Sequence, residues 1–217
     1  MKTDAELQQD VMAELKWESS VNATKIGVEV TEGVVTLAGH VNSYAEKWSA
    51  EEAALRVAGV KSLTVEMDVK LMGLSKRNDI DIAESAQHIL KWTSYLADNS
   101  IKIMVEDGWI TLTGEVDWDY QRTAVATAVR YLTGVIGVTN KIYLNPKASL
   151  SAIKSDIEKA LKRQDIQDAP KINVEVKGSD VILSGTVHSW SERNVARHSA
   201  WCAPGVHKVI DNITLVY

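Results

Sequence analysis

Three segments of this chain repeat one pattern: GVVTLAGHV at 33–41, GWITLTGEV at 108–116 and SDVILSGTV at 179–187, set about 75 and about 71 residues apart. A pattern that returns at such a period calls for one small unit used three times, each copy burying the same positions by the same local route. The register extends well beyond the seed. Gly39, Gly114 and Gly185 coincide, and so do Gly59, Gly134 and Gly205. Ahead of each seed, Leu7/Val11/Leu15, Ile82/Ala86/Leu90 and Ile153/Ile157/Leu161 have the i, i+4, i+8 spacing of the inward stripe of an amphipathic helix.

Alternating segments follow: Ile26/Val28/Val30, Ile101/Ile103/Val105 and Ile172/Val174/Val176, each a strand with one buried face. The seed supplies a second strand as Val35/Leu37/Gly39/Val41, Ile110/Leu112/Gly114/Val116 and, less regularly, Ile182/Leu183/Gly185/Val187. Glu32-Gly33, Asp107-Gly108 and Gly178-Ser179-Asp180 between the strands accept positive φ, so the two strands form an antiparallel hairpin. Ser43-x-x-Glu46 and Ser189-x-x-Glu192 then have the capping-box spacing, while the second copy offers Asp117 or Asp119 as cap and Gln121 at the third position. The helix that follows buries small residues, Ala50/Ala53/Ala54 and their counterparts, and ends at a Gly-Val pair suited to a left-handed cap. A third strand closes the unit as Leu63/Val65/Met67/Val69, Val138/Asn140/Ile142/Leu144 and Val209/Asp211/Ile213/Leu215.

The fold class is therefore α+β: three tandem α-β-β-α-β modules, each a three-stranded mixed sheet with two helices packed on one face. The expected boundaries are 1–73, 74–146 and 147–217. Linkers at 72–78 and 145–149 reach only about 15 to 25 Å when extended, so the modules are neighbours.

Charge separates the copies. The net charge of -5 divides as -5, -2 and +2 along the three modules, so the third is the basic one. Its first helix carries Lys154, Lys159, Lys162 and Arg163, interleaved with Asp156 and Glu158; it reads either as an ordinary solvated helix or as a contact for anionic lipid or an acidic partner. No apolar run approaches the ~20 residues of a membrane-spanning helix, and Met1 leads straight into the first amphipathic helix without a signal peptide. The chain as written is expected in the cytoplasm; a trimmed N-terminus would make it periplasmic. The lone Cys202 forbids an intrachain disulfide.

The V-x-L-x-G-x-V hairpin, the Glu-Arg or equivalent pair that starts the second helix, its alanine-rich face and the closing Gly-Val together resemble the BON domain, three times over. Tandem proteins of this kind include osmotically inducible stress proteins of the periplasm. The resemblance implies a non-catalytic stress-related interaction module, proposed to bind phospholipid surfaces or protein partners.

Seven tryptophans and no phenylalanine are the other unusual feature. Trp17 and Trp92 superpose at the end of the first helix, where the third copy has Arg163, and Trp109 stands beside a hairpin turn where the other copies have Val34 and Asp180. The candidate lipid or partner surface is accordingly Lys154, Lys159, Lys162, Arg163, Trp109, Trp17 and Trp92; the bland alternative for the indoles is packing between modules. His198-x3-Cys202-x4-His207 offers three zinc ligands without a fourth, and Cys202 has no oxyanion motif, so neither a metal nor a nucleophile is expected. No phosphate-binding glycine motif is present, no cofactor is expected, and the chain is not read as an enzyme. Two alternatives are a nucleic-acid-binding module of KH-like architecture and a cytoplasmic small-ligand or ion-binding protein. An acidic pI near 5.6 and the lack of a G-x-x-G loop argue against nucleic acid.

Overall fold

The computed structural model describes residues 2–92, 100–144, 153–163, 172–203, 206 and 208–216. Gly205, His207 and the 145–149 linker lie outside these residues, and so do the side chains of Ile153 and Lys162.

The first module starts from a reciprocal cap. The Thr3 hydroxyl accepts from the Glu6 amide at 3.3 Å, and the Glu6 carboxylate accepts from the Thr3 amide at 2.8 Å, which opens α1 (Asp4–Trp17). Leu7, Val11 and Leu15 then fall on one buried stripe. Strands β1 (Ile26–Thr31) and β2 (Val34–Val41) pair antiparallel across Glu32-Gly33, whose φ values of 52° and 80° are those of a tight hairpin turn. After α2 (Tyr44–Arg56), strand β3 (Ser62–Val69) returns parallel to β2, with Val35 opposite Leu63 and Leu37 opposite Val65. The hairpin strand β2 is thus the middle of a β1-β2-β3 sheet. Ala50, Ala53 and Ala54 of α2 are fully buried, because a methyl group is all that the gap between helix and sheet admits.

The same order recurs as α3 (Asp79–Trp92), β4 (Ile101–Glu106), β5 (Trp109–Val116), α4 (Asp119–Arg130) and β6 (Gly137–Leu144). The third copy is α5 (Ile153–Arg163), β7 (Ile172–Lys177), β8 (Asp180–Val187), α6 (Trp190–Trp201) and β9 (Lys208–Leu215). Each module keeps its own three-stranded mixed sheet, in the expected α+β plan.

The shared seed glycine has a steric cause. Gly39 and Gly114 have φ of 131° and 135°, and a Cβ there would collide with the carbonyl oxygen of Lys25 or Ser100, the residue that leads into the first strand.

Four local readings need correction. In the third module the inward residue is Val181, not Ile182: Val181 pairs with Val176 and is fully buried, so β8 alternates regularly and Ile182 lies on the other face. Gly59 and Gly134 do not cap their helices; they occupy the turn beyond, where Val60 and Val135 donate back to Val57 and Leu132, and their positive φ suits the third position of that turn. Asp119 stands inside the first turn of α4 rather than ahead of it. Leu90 is only half-buried.

By contacts the chain divides into two compact units. One comprises Lys2–Val116 and Tyr120–Tyr143; the other holds Leu144–Tyr217 with Met1 and Asp117–Asp119.

Candidate functional site

The sequence-selected cations stand on one helix whose opposite face, Ile157 and Leu161, is buried in the core of its module. Along α5, Lys154 faces Glu158 at 3.9 Å and Lys159 faces Asp156 at 3.8 Å, loose contacts between well-exposed groups that hold neither lysine firmly. Arg163 at the helix end is exposed and makes no ion pair among the described residues. Lys162 lies on the same helix, its side chain outside the described set.

Trp17 belongs to the first module, and Trp92 and Trp109 belong to the second. Trp17 is 85% exposed and edges an open hollow of about 430 Å³ shared with Lys2, Asp10, Ala13, Glu14 and Val57. Trp92 is 78% exposed, and its indole N–H donates to His88 Nε2 at 3.0 Å one turn earlier. Trp109 lies over the neighbouring strand: its Nε1–H donates to the Thr139 hydroxyl at 2.8 Å, and a Cβ on Gly137 would collide with carbons of the indole. The glycine is what admits the indole. At the corresponding cross-strand place the first module pairs Val34 with Ser62 and the third pairs Asp180 with Lys208.

Several carboxylates that invite a chemical reading are structural. Glu46 is buried, with one oxygen accepting from the Asn22 amide at 2.9 Å and the other from the Asn42 amide at 2.8 Å, so it ties the end of β2 to the loop after α1. The Ser43 hydroxyl caps the helix, but the Glu46 carboxylate reaches past Ser43 rather than closing a box on it. Asp4 does similar work at the hairpin, accepting from the Glu32 and Gly33 amides at 2.8 and 3.0 Å. Asp79 does the same for Asp107 and Gly108 at 2.9 and 2.8 Å. The third module has Leu150 in that register, and the amides of Gly178 and Ser179 have no acceptor among the described residues. Sequence reading missed this clamp although Asp4 and Asp79 superpose, because an aspartate in a first helical turn is ordinarily explained by the helix dipole.

A second missed feature joins the first two modules. The Arg130 guanidinium of α4 lies 3.6 Å over the Trp48 ring of α2, and Tyr44 and Val138 line the hollow beside the pair. This hollow, of about 380 Å³, is also lined by Trp48, Arg122, Thr123, Thr127 and Arg130. Burial raises the pKa of Tyr44 and of Glu51 and lowers that of Arg130. Arg130 Nε is buried and has no hydrogen-bond partner among the described residues.

Cys202 lies 3.4 Å from His198 Nε2, and its thiol is raised above the ordinary value, chiefly by desolvation of a sulfur on an otherwise exposed residue. A raised thiol holds less of the reactive thiolate. Among the described residues no group of three metal-ligating side chains converges.

The repeated hairpin, its obligatory glycine and the α-β-β-α-β order can now be set beside known proteins. The BON domain family matches residues 3–70, 78–146 and 149–217. This chain belongs to the BON domain family. Its BON modules are similar in sequence to osmotically-inducible protein Y of Escherichia coli (strain K12), 29% identical over 146 residues, which cover 64% of this chain and 71% of that protein. Among solved structures, the C-terminal domain of CdsD, a structural protein of the type III secretion system of Chlamydia trachomatis, aligns over 100% of both chains at 14% identity and a TM-score of 0.27. A further CdsD structure aligns over 97% of this chain and 92% of its own at 16% identity and a TM-score of 0.26. Likeness at that level carries no argument about the BON modules here.

Proposed function

We propose that this BON protein is a non-catalytic interaction protein of osmotic stress, with modules bounded at 1–73, 74–146 and 147–217, that docks on anionic phospholipid surfaces. The observation that supports the reading best is the pair Trp17 and Trp92: two indoles at the same place in two modules, 85% and 78% exposed. Indoles favour the headgroup level of a bilayer, where the ring is half-dehydrated and the N–H stays wet. In the third module Arg163 takes that place at the end of a helix that also carries Lys154, Lys159 and Lys162, a cationic complement to anionic headgroups. Trp109 adds a third, partly exposed ring at 46%. No helix among the described residues is long and apolar enough to cross a membrane, so the contact is read as peripheral.

Co-sedimentation with phosphatidylglycerol vesicles tests the proposal, with phosphatidylcholine vesicles as the neutral reference. Binding should weaken with salt, and a Lys159→Gln/Arg163→Gln variant should lose about 2 kcal/mol, roughly thirtyfold at low salt. A Trp17→Ser/Trp92→Ser variant should weaken binding without removing its salt dependence. Equal binding to both lipids, or none to either, would sink the reading.

A further inference from the structure

The hollow between α2 and α4 is built from residues that the copies do not share. Along one face of α4 come Arg122, Ala126 and Arg130, spaced i, i+4, i+8, so that a methyl group separates two guanidinium groups and leaves room between them. The first module has Lys47, Glu51 and Leu55 at these places, and the third has Arg193, Arg197 and Trp201. Thr123 and Thr127 bring two hydroxyls to the same wall.

Arg130 is the telling member. Stacking on Trp48 occupies one face of its guanidinium and leaves the N–H groups pointing outward in the plane of the group. None of those groups finds an acceptor among the described residues, and Nε is buried as well. Glu51 and Glu52 act on Arg130 only through space, without an ion pair, and burial favours the neutral form of Glu51. A stack that served only as cement between modules has no use for a half-buried guanidinium whose Nε–H lacks an acceptor among the described residues.

We propose that this hollow binds a phosphate group, carried by a soluble phosphate ester or by the headgroup of an anionic lipid. The Arg130 fork and the Thr123 and Thr127 hydroxyls provide more donors than the two oxygens of a carboxylate can use, and the Arg122 charge stands on the same helix face, whereas a phosphate monoester presents three acceptor oxygens. Only the headgroup source rests on the membrane reading above.

The experiment uses the full chain labelled with 15N, titrated at constant ionic strength with inorganic phosphate and then with glycerol 3-phosphate. The Trp48 indole N–H and Arg130 Nε–H signals should move together and saturate. Arg130→Gln should raise the dissociation constant roughly tenfold or more, and Thr127→Val, which leaves the stack intact, should raise it a few-fold. Shifts that stay linear in phosphate, or that persist unchanged in Thr127→Val and Arg130→Gln, would overturn the proposal. Phosphatidylglycerol vesicles separate the sources. Loss of vesicle binding in Arg130→Gln assigns a lipid headgroup; vesicle binding untouched by that change, with saturable phosphate binding, assigns a soluble ester. Failure of vesicle binding altogether would count against the docking surface and leave the phosphate titration to decide the hollow.

Discussion

Gly39 and Gly27 lie in the same hairpin and make different demands on their side chain. At Gly39 both the backbone, at φ 131°, and the Lys25 carbonyl exclude a Cβ; at Gly27 the nearest neighbour of an added Cβ, the Ala38 carbonyl, is an unstrained 3.7 Å away. Gly39→Ala and Gly114→Ala should each cost about 2 to 4 kcal/mol in urea unfolding, while Gly27→Ala should be neutral or gain a few tenths. A small effect at Gly39 would mean that the hairpin is free to shift away from Lys25. The sequence marks Gly39, Gly114 and Gly185 by coincidence in register but hides the reason, because the colliding carbonyl belongs to a residue outside the seed. Val181 and Ile182 teach the converse. Both are apolar, so alternation alone could not choose between them, and strand pairing did. Glu46 was legible as a capping residue, yet its partners Asn22 and Asn42 are brought to it by the fold.

Between elements, the most informative contact is the carboxylate that fastens a hairpin to the start of the first helix. Asp4 and Asp79 each hold two turn amides, whereas Gly178 and Ser179 of the third module have no such acceptor among the described residues. Amide exchange measured residue by residue should therefore be slower at Asp107 and Gly108 than at Gly178 and Ser179. Asp79→Ala should abolish the difference and cost about 1 to 3 kcal/mol, since one exposed and one part-buried amide lose a charged acceptor. Equal exchange in all three turns before any substitution would show that the clamp does little. Helices, strands and their order were all readable from period and turn chemistry, because those signals are local. The clamp joins residues about 28 apart, and only a comparison of the copies at the level of single side chains could have raised it.

Taken as a whole, the chain couples its first two modules through Tyr44, Trp48 and Arg130, a junction with no signature in the sequence because periodicity describes each copy from within. The junction has a pH signature. The Glu51 pKa is raised above 4.5 in the folded protein, mainly by desolvation, so the folded state holds this proton more tightly than the unfolded chain does. As pH rises from about 4.5 through the folded-state value, the unfolded chain gives up the proton first and gains relative stability; well below 4.5 both states are protonated and the term vanishes. Glu51→Gln should therefore match the parent in thermal melts at pH 4 and melt higher at pH 7; a difference that grew toward acid pH would refute the assignment. The cross-strand place that holds Val34 with Ser62, Trp109 with Gly137 and Asp180 with Lys208 bears on how such a chain could be recombined. A crossover that joined the middle strand of one copy to the closing strand of another would set the indole against Ser62 or Lys208, where no glycine makes room for it. Trp109 and Gly137 are a two-part lock, and the second copy, alike in fold, cannot lend its middle strand without the closing strand that carries the glycine.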